Sequence, residues 1–225
     1  MNETRRGSAR VHHVRNLTCD TYVLRFDRTI DSFAAGQYVS VGVKGEVETR
    51  EYSIYSAPDE PFVEILVREV EHGRVSRELR RQTKGTQLDV RGPSGDFTLD
   101  DGHRSRSRLL FVATGTGISP FHSMVLANPA LDYTLLHGVR RTEEQYDHDV
   151  FDASRVVSCL TREDEIGDVH GPSFAGRVTD YLRAHPVEVD TRCYLCGNCD
   201  MIYETFGILK SQGIGPEQLY AEVYY

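Results

Sequence analysis

Apolar and polar positions alternate in short runs through the first hundred residues of this 225-residue chain. Successive side chains on a strand point to opposite faces, so a period of two marks half-buried strands. The pattern predicts strands at Thr21–Phe26, Gln37–Val43, Glu51–Tyr55 and Phe62–Arg68, with a shorter piece at Gln87–Arg91. Turn signals separate them: Ala35-Gly36, Lys44-Gly45, Ala57-Pro58-Asp59 and Gly92-Pro93-Ser94-Gly95. One helical stretch, Val75–Gln82, follows Gly73. Several short strands at close spacing predict a small antiparallel barrel.

A polar, charged run from Asp100 to Ser107 ends this rhythm and sets a boundary, with domains expected at 1–103 and 104–225. Beyond it, strand and helix alternate. Strands are predicted at Leu109–Ala113, Asp132–His137, Arg155–Cys159, Arg192–Cys196 and Gln218–Val223, and helices at Pro120–Ala127, Val178–Ala184 and Met201–Gln212. Such alternation implies a parallel sheet wrapped by helices, a Rossmann-like α/β domain. The fold class expected is therefore β followed by α/β.

Composition narrows the function classes. The net charge of −8 is uneven: Met1–Arg108 holds 18 Lys+Arg against 17 Asp+Glu, and Leu109–Tyr225 holds 8 against 17. No aromatic-interleaved basic stretch argues for nucleic acid. No apolar run approaches the ~20 residues of a membrane span, and the N-terminus lacks a secretory core. The odd count of five cysteines speaks against a disulfide framework. A cytoplasmic monomer is expected.

Chemistry concentrates in a few motifs. In Thr114-Gly-Thr-Gly-Ile-Ser-Pro-Phe121 a buried strand ends, glycines turn the backbone, and a helix starts near Pro120. Exposed N–H groups and the helix dipole there favour a phosphate, although Pro120 stands where a third glycine would complete the dinucleotide fingerprint. In Arg50-Glu-Tyr-Ser53 a guanidinium suits a phosphate, a phenol ring suits stacking, and a hydroxyl can donate. Gly73-Arg-Val-Ser76 opens a helix and offers a second anion site. Cys193, Cys196 and Cys199 make C-x-x-C-x-x-C, which raises a redox dithiol or a metal site. A cluster or zinc site normally takes four ligands, and no metal is expected. The nine histidines form no metal-spaced pair.

Together these segments resemble the ferredoxin/flavodoxin–NADP⁺ reductase family, in particular its short bacterial type, from about Arg10 to Tyr225. R-x-Y-S, G-x-x-S, G-T-G-x-x-P-F and C-G-N occur in the family's order. The resemblance implies a six-stranded antiparallel barrel holding FAD, then an NADP(H)-binding α/β domain. It implies Arg50 on a flavin phosphate, with Glu51 beside it, Tyr52 stacked on the isoalloxazine, and Ser53 near the hydride-accepting N5. Backbone along Leu66, Val67 and Arg68 would contact the cofactor, and Arg74, Val75 and Ser76 would hold its pyrophosphate. Thr116 would lie near the nicotinamide nucleotide. The segment Leu160-Thr-Arg-Glu163 is similar to the family's 2′-phosphate grip, so Thr161 and Arg162, with Arg140 and Arg177, imply NADPH.

Cys196 would sit beside the nicotinamide, the reading preferred over the dithiol and the metal. Cys199 departs from the proline that the family carries there. The terminal Tyr224 would cover the flavin face opposite Tyr52 until NADPH displaces it, with Tyr225 near the adenine, and Glu222 would be a carboxylate near the nicotinamide. Ser53, Cys196 and Tyr224 are thus the catalytic candidates, and ferredoxin or flavodoxin the partner. Two other readings keep the same motifs: an NADH-dependent flavin reductase component of an oxygenase system, and a non-catalytic nucleotide-binding module.

Overall fold

The period-two segments of the first half pair into one antiparallel sheet in the computed structural model, which describes residues 6–99, 108–163 and 169–224. Its strands are β1 (Arg6–Asn16), β2 (Thr21–Asp27), β3 (Tyr38–Val43), β4 (Arg50–Ser53), β5 (Phe62–Arg68) and β6 (Gln87–Ser94), ordered β4-β3-β6-β1-β2-β5. The two edges, β4 and β5, meet through one bridge between Ile54 and Ile65, so the sheet curls into a nearly closed barrel. Leu24, Phe26, Val39, Val41, Ile65, Val67, Leu88 and Val90 fill it. Each such side chain contributes roughly 1.5–3 kcal/mol on burial. Helix α1 (Arg74–Arg80) adds Val75 and Leu79 to the same core.

Strand β1 escapes the sequence pattern for a visible reason. Its register against β2 shifts between Val11 and His13, so a bulge breaks the alternation, and of its early residues only Ala9 and Val11 reach the core.

Two compact units emerge. The first joins the barrel, up to Thr98, with helix α2 (Ser119–Ala127). His122 of α2 donates from Nδ1 to the carbonyl of Tyr55 at 2.7 Å and stacks on that ring at 3.6 Å, while the Ser123 hydroxyl donates to the Ser56 carbonyl at 2.7 Å. The helix after the glycine turn therefore packs as part of the barrel unit.

The second unit is a parallel sheet. Its strands are β7 (Leu109–Thr114), β8 (Tyr133–Val139), β9 (Val156–Leu160), β10 (Ser173–Ala175), β11 (Arg192–Asn198) and β12 (Leu219–Tyr224), ordered β10-β9-β8-β7-β11-β12. Helices α3 (Val178–Ala184) and α4 (Cys199–Ser211) cover it with Leu182, Ile202 and Leu209. Central strands buried on both faces read as continuous apolar runs rather than alternation, as Leu109–Ala113 does. The three-residue β10 is too short to leave such a signature.

From β7 the chain runs outward through β8, β9 and β10, then crosses to β11 and β12 on the other side. The order therefore reverses between β7 and β11, where α/β sheets bind ligands beyond their strands' C-terminal ends. Packing there is close. A Cβ at Gly117 would collide with the Cys196 carbonyl oxygen and lie 2.8 Å from the Gly197 Cα. Gly197 itself has φ +127, and its missing Cβ leaves room for the Thr114 hydroxyl, which accepts from the Asn198 N–H at 3.0 Å.

Behind this switch point lies a buried imidazole pair. His137 of β8 and the Nε2 of His148 are joined at 2.7 Å through His137 Nδ1, and His137 Nε2 reaches the Gly115 carbonyl at 2.9 Å. Burial pushes His137 down to about 4 and His148 down to about 2, the latter helped by the neighbouring imidazoles of His137 and His170.

Gly117→Ala should therefore cost on the order of 2 kcal/mol, read as a fall in Tm of roughly 4–8 °C; an unchanged Tm would contradict the close approach. The imidazole pair gives a second expectation. Both groups are depressed below the ordinary 6.5, so the unfolded chain binds more protons once pH drops below that value. Their contribution is whole above about 6.5 and is lost as pH falls, toward about 4 for His137 and toward about 2 for His148. Replacing His137 and His148 together by Gln should flatten the dependence of the urea midpoint on pH in that window.

Candidate functional site

The seam of the barrel is the first part of the site. Counted from the Ile54–Ile65 bridge, continued pairing would set Ser53 against Leu66, Tyr52 against Val67 and Glu51 against Arg68, yet β5 pairs only with β2 over these residues. The edges have parted. Alternate residues of an antiparallel strand turn their backbone groups the same way. Glu64 faces away from β2, its carbonyl accepting from the Tyr55 N–H at 2.8 Å; the bridge takes the Leu66 N–H, and the Leu66 carbonyl and both backbone groups of Arg68 turn toward the seam.

Tyr52 stands on the opposite bank, half-buried and packed on the barrel core. Burial pushes its phenol up to about 12 against the pull of Arg50, so the ring stays neutral. Ser53 beside it is buried. Arg50 and Glu51 are exposed; one Arg50 nitrogen donates to the Thr49 carbonyl at 2.9 Å, and Glu48 lies 4.0 Å away.

Below, Arg68 pairs with Asp20 at 3.0 Å. Helix α1 starts at Gly73 without a side-chain cap, which leaves its first amides, Val75 and Ser76 among them, uncapped. The Ser76 hydroxyl instead accepts from the Val70 N–H at 3.2 Å. Arg74, expected to hold a pyrophosphate, is exposed and already bound by Glu46 at 2.5 Å and Glu78 at 2.8 Å. A flat aromatic platform, a strand edge offering donors and acceptors, uncapped amides and the Arg50 guanidinium fit a flavin dinucleotide.

The second part is the C-terminal edge of the parallel sheet. Thr116 lies in the single 3-10 turn Gly115–Ile118 that follows β7. Arg140, Thr161 with Arg162, and Arg177 follow β8, β9 and β10. Their backbones adjoin: the Arg162 N–H donates to the Arg140 carbonyl at 2.9 Å, and the Gly176 N–H to the Leu160 carbonyl at 2.8 Å. Thr161, Arg162 and Arg177 are exposed. Neither Arg162 nor Arg177 has a side-chain ion pair among the described residues. Arg140 is held by Glu144, whose carboxylate takes its backbone N–H at 2.7 Å and its Nε at 3.2 Å. Glu163 is occupied by the Thr142 N–H at 2.7 Å. Exposed guanidiniums beside carboxylates engaged elsewhere suit a phosphate better than a free ribose hydroxyl.

Cys196, on the other side of β7, is fully buried, and burial holds its thiol well above the ordinary range. Glu222, its register partner on β12, pushes the same way, while a hydrogen bond from Tyr224 opposes them. A protonated thiol is no nucleophile. Cys196 and Cys199 are both free thiols, the first buried and the second half-buried. Among the described residues no three metal-ligating side chains gather. Tyr225 lies outside the described residues.

Sequence reading missed Glu144, His137 and the Asn198 cap of α4, which accepts from the Met201 N–H at 3.2 Å. Only the i,i+4 spacing of Arg140 and Glu144 signalled any of them.

Comparison with known proteins agrees with this geometry. Residues 8–99 match the oxidoreductase FAD-binding domain family. Ferredoxin–NADP reductase B of Sorangium cellulosum is 38% identical over 192 residues, 80% of this chain and 77% of that protein. The ferredoxin–NAD(P)(+) reductase component of the naphthalene 1,2-dioxygenase system of Pseudomonas putida is 29% identical across 86% of this chain, which spans only 61% of that protein's length. A crystal structure of a ferredoxin NADP⁺ reductase from Neisseria gonorrhoeae, with bound FAD and NADP, superposes with a TM-score of 0.86 at 22% identity, covering 99% of this chain and 100% of that one. Barrel, parallel sheet, FAD-binding signature and the Sorangium relative lead to one assignment: the chain belongs to the ferredoxin–NADP⁺ reductase family.

Proposed function

We propose that the chain is an FAD-dependent reductase that exchanges hydride with NADP(H) and single electrons with a ferredoxin or flavodoxin. The observation that carries the dinucleotide choice is the cluster of Arg140, Arg162 and Arg177 on adjoining backbone at the ends of β8, β9 and β10. A monoester phosphate calls for several cationic donors at once.

FAD supplies the redox chemistry: it accepts an electron pair as hydride and releases electrons one at a time. The chain's own residues bind and orient. In this reading the region 1–103 holds FAD and 104–225 holds the nucleotide. Arg50 and the uncapped amides of Val75 and Ser76 take the flavin phosphates, while Arg74 contributes less because Glu46 and Glu78 already engage it. Tyr52 is the stacking ring, Leu66 to Arg68 line the ring edge, and the buried Ser53 is the hydroxyl donor near N5. Thr116 positions the nucleotide, Thr161 and Arg162 grip the 2′-phosphate, and the protonated Cys196 packs beside the nicotinamide as an uncharged filler. Tyr224 supplies the aromatic cover that the family resemblance implies, and Glu222 the nearby carboxylate.

No helix among the described residues is long and apolar enough to cross a membrane, and a cytoplasmic monomer is part of the proposal. A second reading is an NADH-using reductase component of an oxygenase; the likeness to the naphthalene dioxygenase reductase component supports the oxygenase role, while that protein's name covers both dinucleotides.

Steady-state kinetics separate the two. Arg162→Ala should raise KM for NADPH at least about tenfold, the scale of one charge-assisted hydrogen bond, and leave KM for NADH within about twofold. Equal effects on both dinucleotides would overturn the phosphate assignment. Arg50→Ala should lower the FAD retained on gel filtration without changing NADPH selectivity; full retention would remove Arg50 from the flavin phosphates.

A further inference from the structure

The glycine turn after β7 poses a problem of its own. Gly115 has φ +53, and a Cβ there would meet nothing within 4 Å. One side of the residue thus faces open space, where a bound nucleotide would lie. Glycine crosses between left- and right-handed backbone at little cost, so the Gly115–Thr116 peptide keeps its orientation only through what its carbonyl accepts, and the 3-10 turn Gly115–Ile118 supplies one such bond, of the poorer geometry usual in these turns. In one orientation the turn offers an N–H to the open side, and in the other it offers a carbonyl, which repels phosphate.

The buried imidazole pair adds a second donor to the Gly115 carbonyl. His137 is completely buried on β8, opposite Ala113 of β7 and Ser158 of β9. Its Nε2 lies 2.9 Å from the Gly115 carbonyl oxygen. A carbonyl only accepts, so Nε2 carries the proton, and in a neutral ring Nδ1 must then accept. The donor to Nδ1 is His148 Nε2 at 2.7 Å. His148 is therefore also the Nε2–H tautomer, and its remaining Nδ1 is buried with no hydrogen-bond partner. The series runs in a fixed sense from His148 through His137 to the Gly115 carbonyl. The Gly115–Thr116 bond is trans, the one cis bond among the described residues being Gly92–Pro93. Across a trans peptide C=O and N–H point in opposite directions. With the carbonyl drawn inward to His137, the Thr116 N–H is directed the other way.

We propose that His137, held in its Nε2–H tautomer by His148, is a positioning residue for the nucleotide turn, locking the Gly115–Thr116 peptide with its carbonyl inward and its N–H toward the bound dinucleotide. This rests on the reading of that turn as the nucleotide site. His148 acts at one remove: without its donor, the His137 proton is free to move to Nδ1, and the bare Nε2 then faces the carbonyl.

The test is equilibrium titration of FAD-loaded protein with NADP⁺, followed by calorimetry, beside histidine ¹⁵N NMR. His137→Leu and His148→Leu should each weaken NADP⁺ binding about tenfold, the scale of one buried hydrogen bond, with FAD content unchanged. His137→Gln places an amide donor near the position of Nε2 and should restore most of the affinity. In His148→Leu the ¹⁵N shifts of His137 should move from a pure Nε2–H signature toward a mixture. Unaltered NADP⁺ affinity in both Leu variants, or equal loss in His137→Gln and His137→Leu, would overturn the proposal. Gly115→Asn keeps a side chain tolerant of this backbone and fills the open space. If it weakens NADP⁺ while His137→Leu does not, the positioning role alone falls. If neither change affects NADP⁺, the turn is not the nucleotide site and both readings fall.

Discussion

A six-stranded antiparallel barrel satisfies its edges only where its first and last strands meet, and here β4 and β5 meet at Ile54 and Ile65 alone. Everything assigned to the flavin follows from that parting. Unpaired strand edges are a liability in most sheets because their backbone groups invite another chain. In this barrel the unpaired stretch runs along Leu66 to Arg68, faces the neutral, half-buried ring of Tyr52, and ends near the uncapped start of α1. A cofactor with an aromatic ring, a polar ring edge and a diphosphate meets each demand in turn. The barrel's hydrophobic contents, Val67 and Leu88 among them, keep the two banks in place while leaving their rims unpaired.

The parallel sheet works by a different constraint. All its strands end on one edge, so loops distant in sequence arrive side by side. Arg140, Arg162 and Arg177 are spread over nearly forty residues, yet the backbone hydrogen bonds that extend β8, β9 and β10 bring them together. At the reversal between β7 and β11 the same edge carries Gly117 against Cys196, with no room for a side chain between them. The buried thiol there is held protonated, which suits packing against an uncharged ring and leaves electron transfer to the flavin.

Much of this was legible in the residues. Alternation marked β2 and β3, and the change to continuous apolar runs marked β7 and β11, because burial on one face or two leaves different patterns. The motifs R-E-Y-S and T-G-T-G marked the end strand of the barrel and the turn after β7, since their backbone demands are local. Other features were hidden for physical reasons. The bulge in β1 broke its periodicity. The ion pairs of Arg74 with Glu46 and Glu78 depend partly on a tertiary approach across 28 positions. The C-x-x-C spacing raised a dithiol, and Cys196 and Cys199 are free thiols. His137 carried no signal at all, because its role depends on a carbonyl 22 positions away and on a second imidazole that fixes its proton.

The central claim is that this barrel holds FAD and that NADPH reduces it. The most direct measurement is the visible spectrum of the purified protein, recorded without oxygen before and after addition of NADPH. The account requires a yellow protein with the two-banded absorption of bound oxidised flavin that bleaches on NADPH addition, and more slowly with NADH. A colourless protein that takes up no FAD on incubation, or a yellow one that NADPH leaves unbleached, would contradict it.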